Sequence, residues 1–151
     1  MPPVGAESGN YESELGGQLF VWNYRTRLGK TFSSSTVFTL PNGSKKSPDA
    51  AWVELSRWEA VSREERKKFA QLVPDFVIEL RSETDRLPPL QAKMAEYRDN
   101  GVRLGWLINP QDRQVEIYGF EREIQVLSAP MTLSGEDVLP GFILDLSPIW
   151  A

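Results

Sequence analysis

Residues 74–82, Pro-Asp-Phe-Val-Ile-Glu-Leu-Arg-Ser, decide the fold. Phe76, Val77 and Ile78 are consecutive and apolar. A strand with one wet face alternates, whereas an unbroken apolar run marks a strand covered on both faces. The stretch therefore predicts a central strand with a layer above and a layer below. Glu79 ends the run. A carboxylate in that place is costly to bury without a partner. One partner within reach is Arg81, two residues on and on the same side of the strand; the other reading is a metal or catalytic role. Pro74-Asp75 sits near the opposite end of the strand and reads as the turn into it.

On the C-terminal side, Leu87 or Pro88 opens a helix, since proline suits a first helical turn, and Gly101 closes it as the residue past the cap. Leu87, Leu90, Met94 and Tyr97 form its apolar stripe, and Lys93 lies about 40° from Tyr97 on its edge. Strands are expected at Arg103–Ile108, Gln114–Tyr118 and Ile124–Leu127, then a tail with one short strand and a final turn. On the N-terminal side, Tyr11, Leu15, Leu19 and Trp22 share one helical face, which predicts a helix over 12–28 ended by Gly29, with residues 1–9 loose. The β-branched and aromatic run at 31–40, the turn Pro41-Asn42-Gly43 and the run at 50–55 predict a β-hairpin. Ser62-Arg63-Glu64-Glu65 is a capping box opening a short helix to about Phe69. The order is helix, hairpin, short helix, strand, helix, strand, strand. That is α/β with a mixed sheet flanked by helices, in one domain over 1–151, and it contains no glycine-rich phosphate loop.

The chain of 151 residues contains no histidine and no cysteine. Zinc sites built on His or Cys, thiol nucleophiles, Ser-His triads and imidazole acid–base chemistry are excluded. The lack of cysteine fits a reducing compartment, and the N-terminus shows no basic-then-apolar leader pattern, so the cytoplasm is the expected location. No apolar run approaches a spanning helix. The net charge of −4 argues against a high-affinity non-specific nucleic-acid binder, although local basic groups occur at Arg25, Arg27 and Lys30, at Lys45 and Lys46, and over Arg63–Lys68.

What chemistry remains is carried by carboxylates, lysine and oxygen-bound metal. Asp49, in Ser-Pro-Asp-Ala-Ala, opens a strand; by itself it is ordinary turn chemistry. Paired with Glu79 across adjacent strands it makes an oxygen site at one end of a sheet. Lys93, from the edge of the next helix, either snorkels to water or reaches that site. Two carboxylates and a lysine so placed are the parts needed to hold Mg²⁺ or Mn²⁺ over a phosphodiester.

Four blocks of the chain resemble the Uma-two family of endonucleases, within the PD-(D/E)XK superfamily with its restriction-endonuclease-like core. They are SSSTVFTLPNG through SPDAAWVELSRWEAV, PDFVIELRSETD, LQAKMAEYRDNGVRLGWLINP and LSGEDVLPGFILDLSPIW. The resemblance runs from about Gly9 to Trp150. It implies metal ligation by Asp49 and Glu79, and catalytic roles for Asp49, Glu79, Lys93 and Glu14, the last as the acidic residue of the first helix. Arg81 stands where the superfamily usually has lysine, and Lys93 matches a lysine moved to the following helix. Asp85 and Tyr97 match recurring family positions, and Gln91 falls at the site edge. Family members usually carry a strand pair before the first helix. Its lack here implies either a late start or a sheet edge formed otherwise; an exposed edge invites pairing, which makes a homodimer one expected assembly.

The implied activity is Mg²⁺-dependent phosphodiester hydrolysis, with DNA favoured over RNA by the resemblance alone. The acidic balance keeps a second reading open: a non-catalytic binding or assembly protein that retains the fold. A hydrolase of some other phosphoester is a third, and no pocket for one is visible in the sequence.

Overall fold

The computed structural model describes residues 3–151. The elements run α1 (Ala6–Thr26), β1 (Gly29–Phe32), β2 (Phe38–Thr39), β3 (Lys45–Lys46), β4 (Ala50–Glu54), α2 (Leu55–Glu59), α3 (Arg63–Arg66), β5 (Phe76–Leu80), α4 (Leu87–Asp99), β6 (Leu104–Asn109), β7 (Gln114–Gly119), β8 (Gln125–Ser128), β9 (Thr132–Ser134), β10 (Ile143–Asp145) and α5 (Ser147–Trp150). Six strands form one mixed sheet in the order β1-β4-β5-β6-β7-β8, and β9–β10 and β2–β3 are separate two-stranded ribbons. Every neighbour in the sheet is antiparallel except β5 and β6, which are parallel. Parallel strands need a crossover, and α4 supplies it.

The central strand is as its sequence dictates. All five residues of β5 are buried. Phe76, Ile78 and Leu80 face one core with Leu15, Leu19 and Trp22 of α1, where Phe76 meets Trp106 edge-on at 4.7 Å and Trp22 meets Trp52 at 5.6 Å. Val77 faces the other core, with Met94 and Tyr97 of α4. Consecutive apolar residues are thus shared alternately between two layers.

Three expectations need correction. The first helix begins at Ala6 rather than at 12, so 6–9 are ordered helix and Ser8 is buried; residues 1 and 2 of the loose segment lie outside the described residues. The helix stops with Arg27 in the left-handed region (φ 56°), and Gly29 is not its terminator but the first residue of β1. A Cβ at Gly29 would overlap the Val53 carbonyl and the Trp52 indole, so glycine serves a close strand approach there. The hairpin over 31–55 also divides. Its outer strands do pair, with Thr31 opposite Trp52, but the run 31–40 breaks at the serines. Ser33 Oγ meets Ser35 Oγ at 3.1 Å and Thr36 Oγ1 at 3.2 Å, and the Thr36 N–H donates to the Ser33 carbonyl. Such hydroxyls offer the backbone a turn in place of a ladder.

Smaller differences follow the same logic. Trp58 lies in helix α2 rather than in a plain connection, and the tail forms two strands rather than one. The Ser62 cap is formed, its hydroxyl accepting from the Glu65 N–H at 3.1 Å, but α3 ends at Arg66, short of Phe69. Gly101, at φ 104°, lies just past α4 as expected.

Candidate active site

Asp49 immediately precedes β4, and β4 pairs with β5 so that Ala50 faces Ile78. One step further along that register sets Asp49 opposite Glu79. Cross-strand neighbours on one face have Cβ atoms about 4.5–5.5 Å apart. The Asp49 carboxylate also accepts the Leu80 N–H at 2.7 Å, which fixes it against the end of β5.

Glu79 is 3% exposed. Its Oε2 accepts from the Tyr97 hydroxyl at 2.7 Å and from the Lys93 ammonium at 2.8 Å. Both donors come from α4, four residues apart, hence from one helical face. Burial pushes the Glu79 carboxyl up to about 7; Lys93 pulls it down, and Asp49 pushes it further up. Burial beside Glu79 likewise raises the Tyr97 phenol. The stem of Lys93 lies on the edge of the apolar stripe, and its head turns inward rather than to water.

These residues face a cavity of about 630 Å³ whose lining includes Asp49, Glu79, Leu80, Asp85, Leu90 and Lys93. Pro3–Ser8 and Glu12 also line it. Asp85 is held in a tight turn, its Oδ2 accepting the Ser82 N–H at 2.9 Å.

Glu14, the expected helix acid, is elsewhere. It lines a separate surface depression with Gly17, Trp22 and Pro140. Two residues of helix are about 200° of rotation, so Glu12 and Glu14 cannot share a face, and the one that reaches the cavity is Glu12. Burial, then a hydrogen bond shared with Asp49 and its like charge, push the Glu12 carboxyl up to about 7. Its Oε1 is buried and has no hydrogen-bond partner among the described residues.

Arg81 does not pair with Glu79. The strand ends at Leu80, alternation lapses, and Arg81 reaches Asp112 at 3.1 Å instead. Gln91, on α4, reaches over β7, two strands from β5. It donates at 2.9 Å to Glu116, a buried carboxylate on β7 that also accepts from the Tyr118 hydroxyl at 2.7 Å. Glu116 escaped the sequence reading, though it carries the signal of Glu79: a carboxylate set between apolar strand residues, Val115 and Ile117. Asp75 is structural. It is 2% exposed, accepts the Glu54 N–H at 2.8 Å and pairs with Arg57 at 2.8 Å, at the far end of β5.

Among the described residues, no three carboxylates already converge as a ready ligand set. Mg²⁺ keeps several waters and takes only one or two protein carboxylates. Asp49 and Glu79 are two hard oxygen donors brought together, and Glu12 lines the same cavity.

The sequence family described as "Putative restriction endonuclease", Uma2, matches residues 1–147. The chain belongs to this family. A solved structure of similar fold is that of a protein described as "a putative nuclease belonging to DUF820" from Anabaena variabilis ATCC 29413. It has a TM-score of 0.81 and 20% identity over 99% of this chain and 83% of that one, a likeness of fold. No curated protein matches this sequence. Within the Uma2 chain, no described helix is long and apolar enough to cross a membrane.

Proposed function

We propose that this Uma2 protein hydrolyses phosphodiester bonds in nucleic acid, DNA before RNA, with Mg²⁺ or Mn²⁺ held by Asp49 and Glu79. The observation that carries the reading is the buried Glu79 carboxylate beside Lys93 and opposite Asp49, at a cavity open to a substrate. A buried acid with a raised pKa and a specific charge partner, in a cleft, is a mark of function. When bound, the ion supplies positive charge to the phosphate oxygens and makes its water more acidic.

The chain's own residues do the rest. Tyr97 holds Glu79 Oε2 in place. Lys93 neutralises Glu79 in the metal-free protein, and its ammonium turns to the attacking water or the phosphate once the carboxylate is occupied. Glu12, near neutrality, is matched to accept the proton of that water. Glu14 is replaced by Glu12 in this scheme, and Arg81, Asp85 and Gln91 shape and brace the surroundings.

One observation favours the non-catalytic reading. Six carboxylates line the cavity (Glu7, Glu12, Asp49, Glu79, Glu83 and Asp85) against a single lysine, and without a cation that lining repels a polyanion. The test is cleavage of plasmid and of single-stranded DNA in Mg²⁺ or Mn²⁺. Wild type cuts, while Glu79→Ala and Lys93→Ala do not. Uncut DNA in every metal and substrate tried would favour a binding protein; cutting that persists in both variants would place the chemistry elsewhere.

A further inference from the structure

The outer face of α1 carries an arrangement that the cleavage chemistry does not use. Positions 12, 16, 20 and 24 form one i, i+4 ridge. At 1.5 Å per residue, Phe20 lies about 12 Å and Tyr24 about 18 Å along the axis from Glu12, which lines the cavity. Phe20 and Tyr24 are 56% and 58% exposed, and their rings stack at 6.1 Å with 28° between planes. The Arg27 guanidinium continues the stack, 4.3 Å over the Tyr24 ring.

On the cavity side of Phe20 the ridge holds Gly16, followed by Gly17. A Cβ at either would touch nothing within 4 Å. Glycine weakens a helix interior; here the two leave the helix surface beside Phe20 bare of side chain. The cations at the C-terminal end of the ridge are unpaired. Arg25, Arg27 and Lys30 are exposed and form no ion pair among the described residues, whereas Arg57, Arg81, Arg103 and Arg122 are each matched to a carboxylate.

We propose that this face is a stacking platform for a single-stranded polynucleotide, guiding one strand between the Phe20–Tyr24 pair and the cavity. The proposal rests on the nuclease reading for the destination of the strand. The outer face of Phe20 can take a base of any sequence, with Tyr24 and Arg27 stacked behind it, and unpaired cations answer the phosphates. A duplex hides its base faces. A second copy of the chain seated on this face would give a dimer instead.

The test is fluorescence anisotropy with a labelled oligothymidylate about 15 nucleotides long, and a duplex of equal length, in Ca²⁺. Phe20→Ala and Tyr24→Ala each weaken single-strand binding about tenfold and leave duplex binding unchanged. Phe20→Trp retains binding. Gly16→Leu, which favours the helix but fills the space, loses it. Arg27→Ala weakens binding and flattens its salt dependence. Unaltered binding by both alanine variants, no binding by wild type, or a wild-type dimer that Phe20→Ala dissociates would each overturn the platform. Plasmid cleavage separates this from the nuclease reading. If Glu79→Ala abolishes cutting while Phe20→Ala binds like wild type, the platform falls and the nuclease stands. If oligothymidylate binds through Phe20 and wild type cuts nothing, the platform stands and the nuclease reading falls.

Discussion

Glu79 shows how one residue links stability to chemistry. Its carboxyl rises from 4.5 to about 7 on folding, chiefly by burial. A raised acid pKa means that the native state holds its proton longer than the unfolded chain does. The associated stability is therefore complete below about 4.5 and lost as pH rises through about 7, a swing of about 3 kcal/mol at most. In metal-free protein, the melting temperature should fall between pH 5 and pH 8, and Glu79→Gln should flatten that slope and melt higher than wild type at pH 8. A variant that melts lower at pH 8 would mean that the Lys93 and Tyr97 contacts outweigh the burial cost. Glu12 and Glu14 make a second residue-level prediction. In the plasmid assay, Glu12→Ala should lose at least tenfold in rate, while Glu14→Ala should cut like wild type. Glu79, Asp49 and Lys93 were legible because each sits where its local pattern makes it conspicuous: after an apolar run, before a strand, beside a stripe. Glu12 was not, because a helix with Gly9, Gly16 and Gly17 gives a weak periodic signal near its start, and choosing between Glu12 and Glu14 requires knowing how the helix is rotated on the sheet.

At the scale of elements, β5 and α4 read cleanly from sequence, and the segment 29–46 did not. Strand pairing is a long-range choice, and four polar hydroxyl residues in a row weaken a strand whose flanks are β-formers. Gly29 was misassigned for a related reason. A glycine after a helical pattern resembles a stop, and only the tertiary approach of Trp52 shows its real use. Gly29→Ala should therefore destabilise the fold by about 2 kcal/mol, as overpacking does, with the unchanged helix α1 still visible by circular dichroism. A loss below about 0.5 kcal/mol in urea unfolding would mean that β1 shifts freely. Asp75 supplies the contrasting case at the opposite end of β5. It ties β4 and α2 to the sheet through the Glu54 N–H and Arg57. Asp75→Ala should cost about 2 kcal/mol, by leaving that N–H unsatisfied and the guanidinium without its partner, yet spare the proposed cleavage rate per folded molecule. A rate loss without a stability loss would make Asp75 part of the site.

At the scale of the whole molecule, the mixed sheet organises an acidic chain so that opposite functions lie at opposite ends of one strand. The Asp75 end is closed by two arginines, Arg57 and Arg103. The Glu79 end opens on a cavity in which carboxylates outnumber lysine. The fold class was legible as a whole because the order of periodic segments admits few layered arrangements. The edges were not: β1 and β8 end the sheet, and edges depend on what each strand fails to pair with. Binding of the proposed divalent cation should release the protons that Glu12 and Glu79 hold near neutrality. Calorimetric titration of Mn²⁺ at pH 7, repeated in buffers of different ionisation enthalpy, measures both at once. The expected result is a site in wild type that releases protons, is retained in Glu14→Ala and is lost in Glu79→Ala. Binding of equal strength in Glu79→Ala, or no binding by wild type, would contradict it.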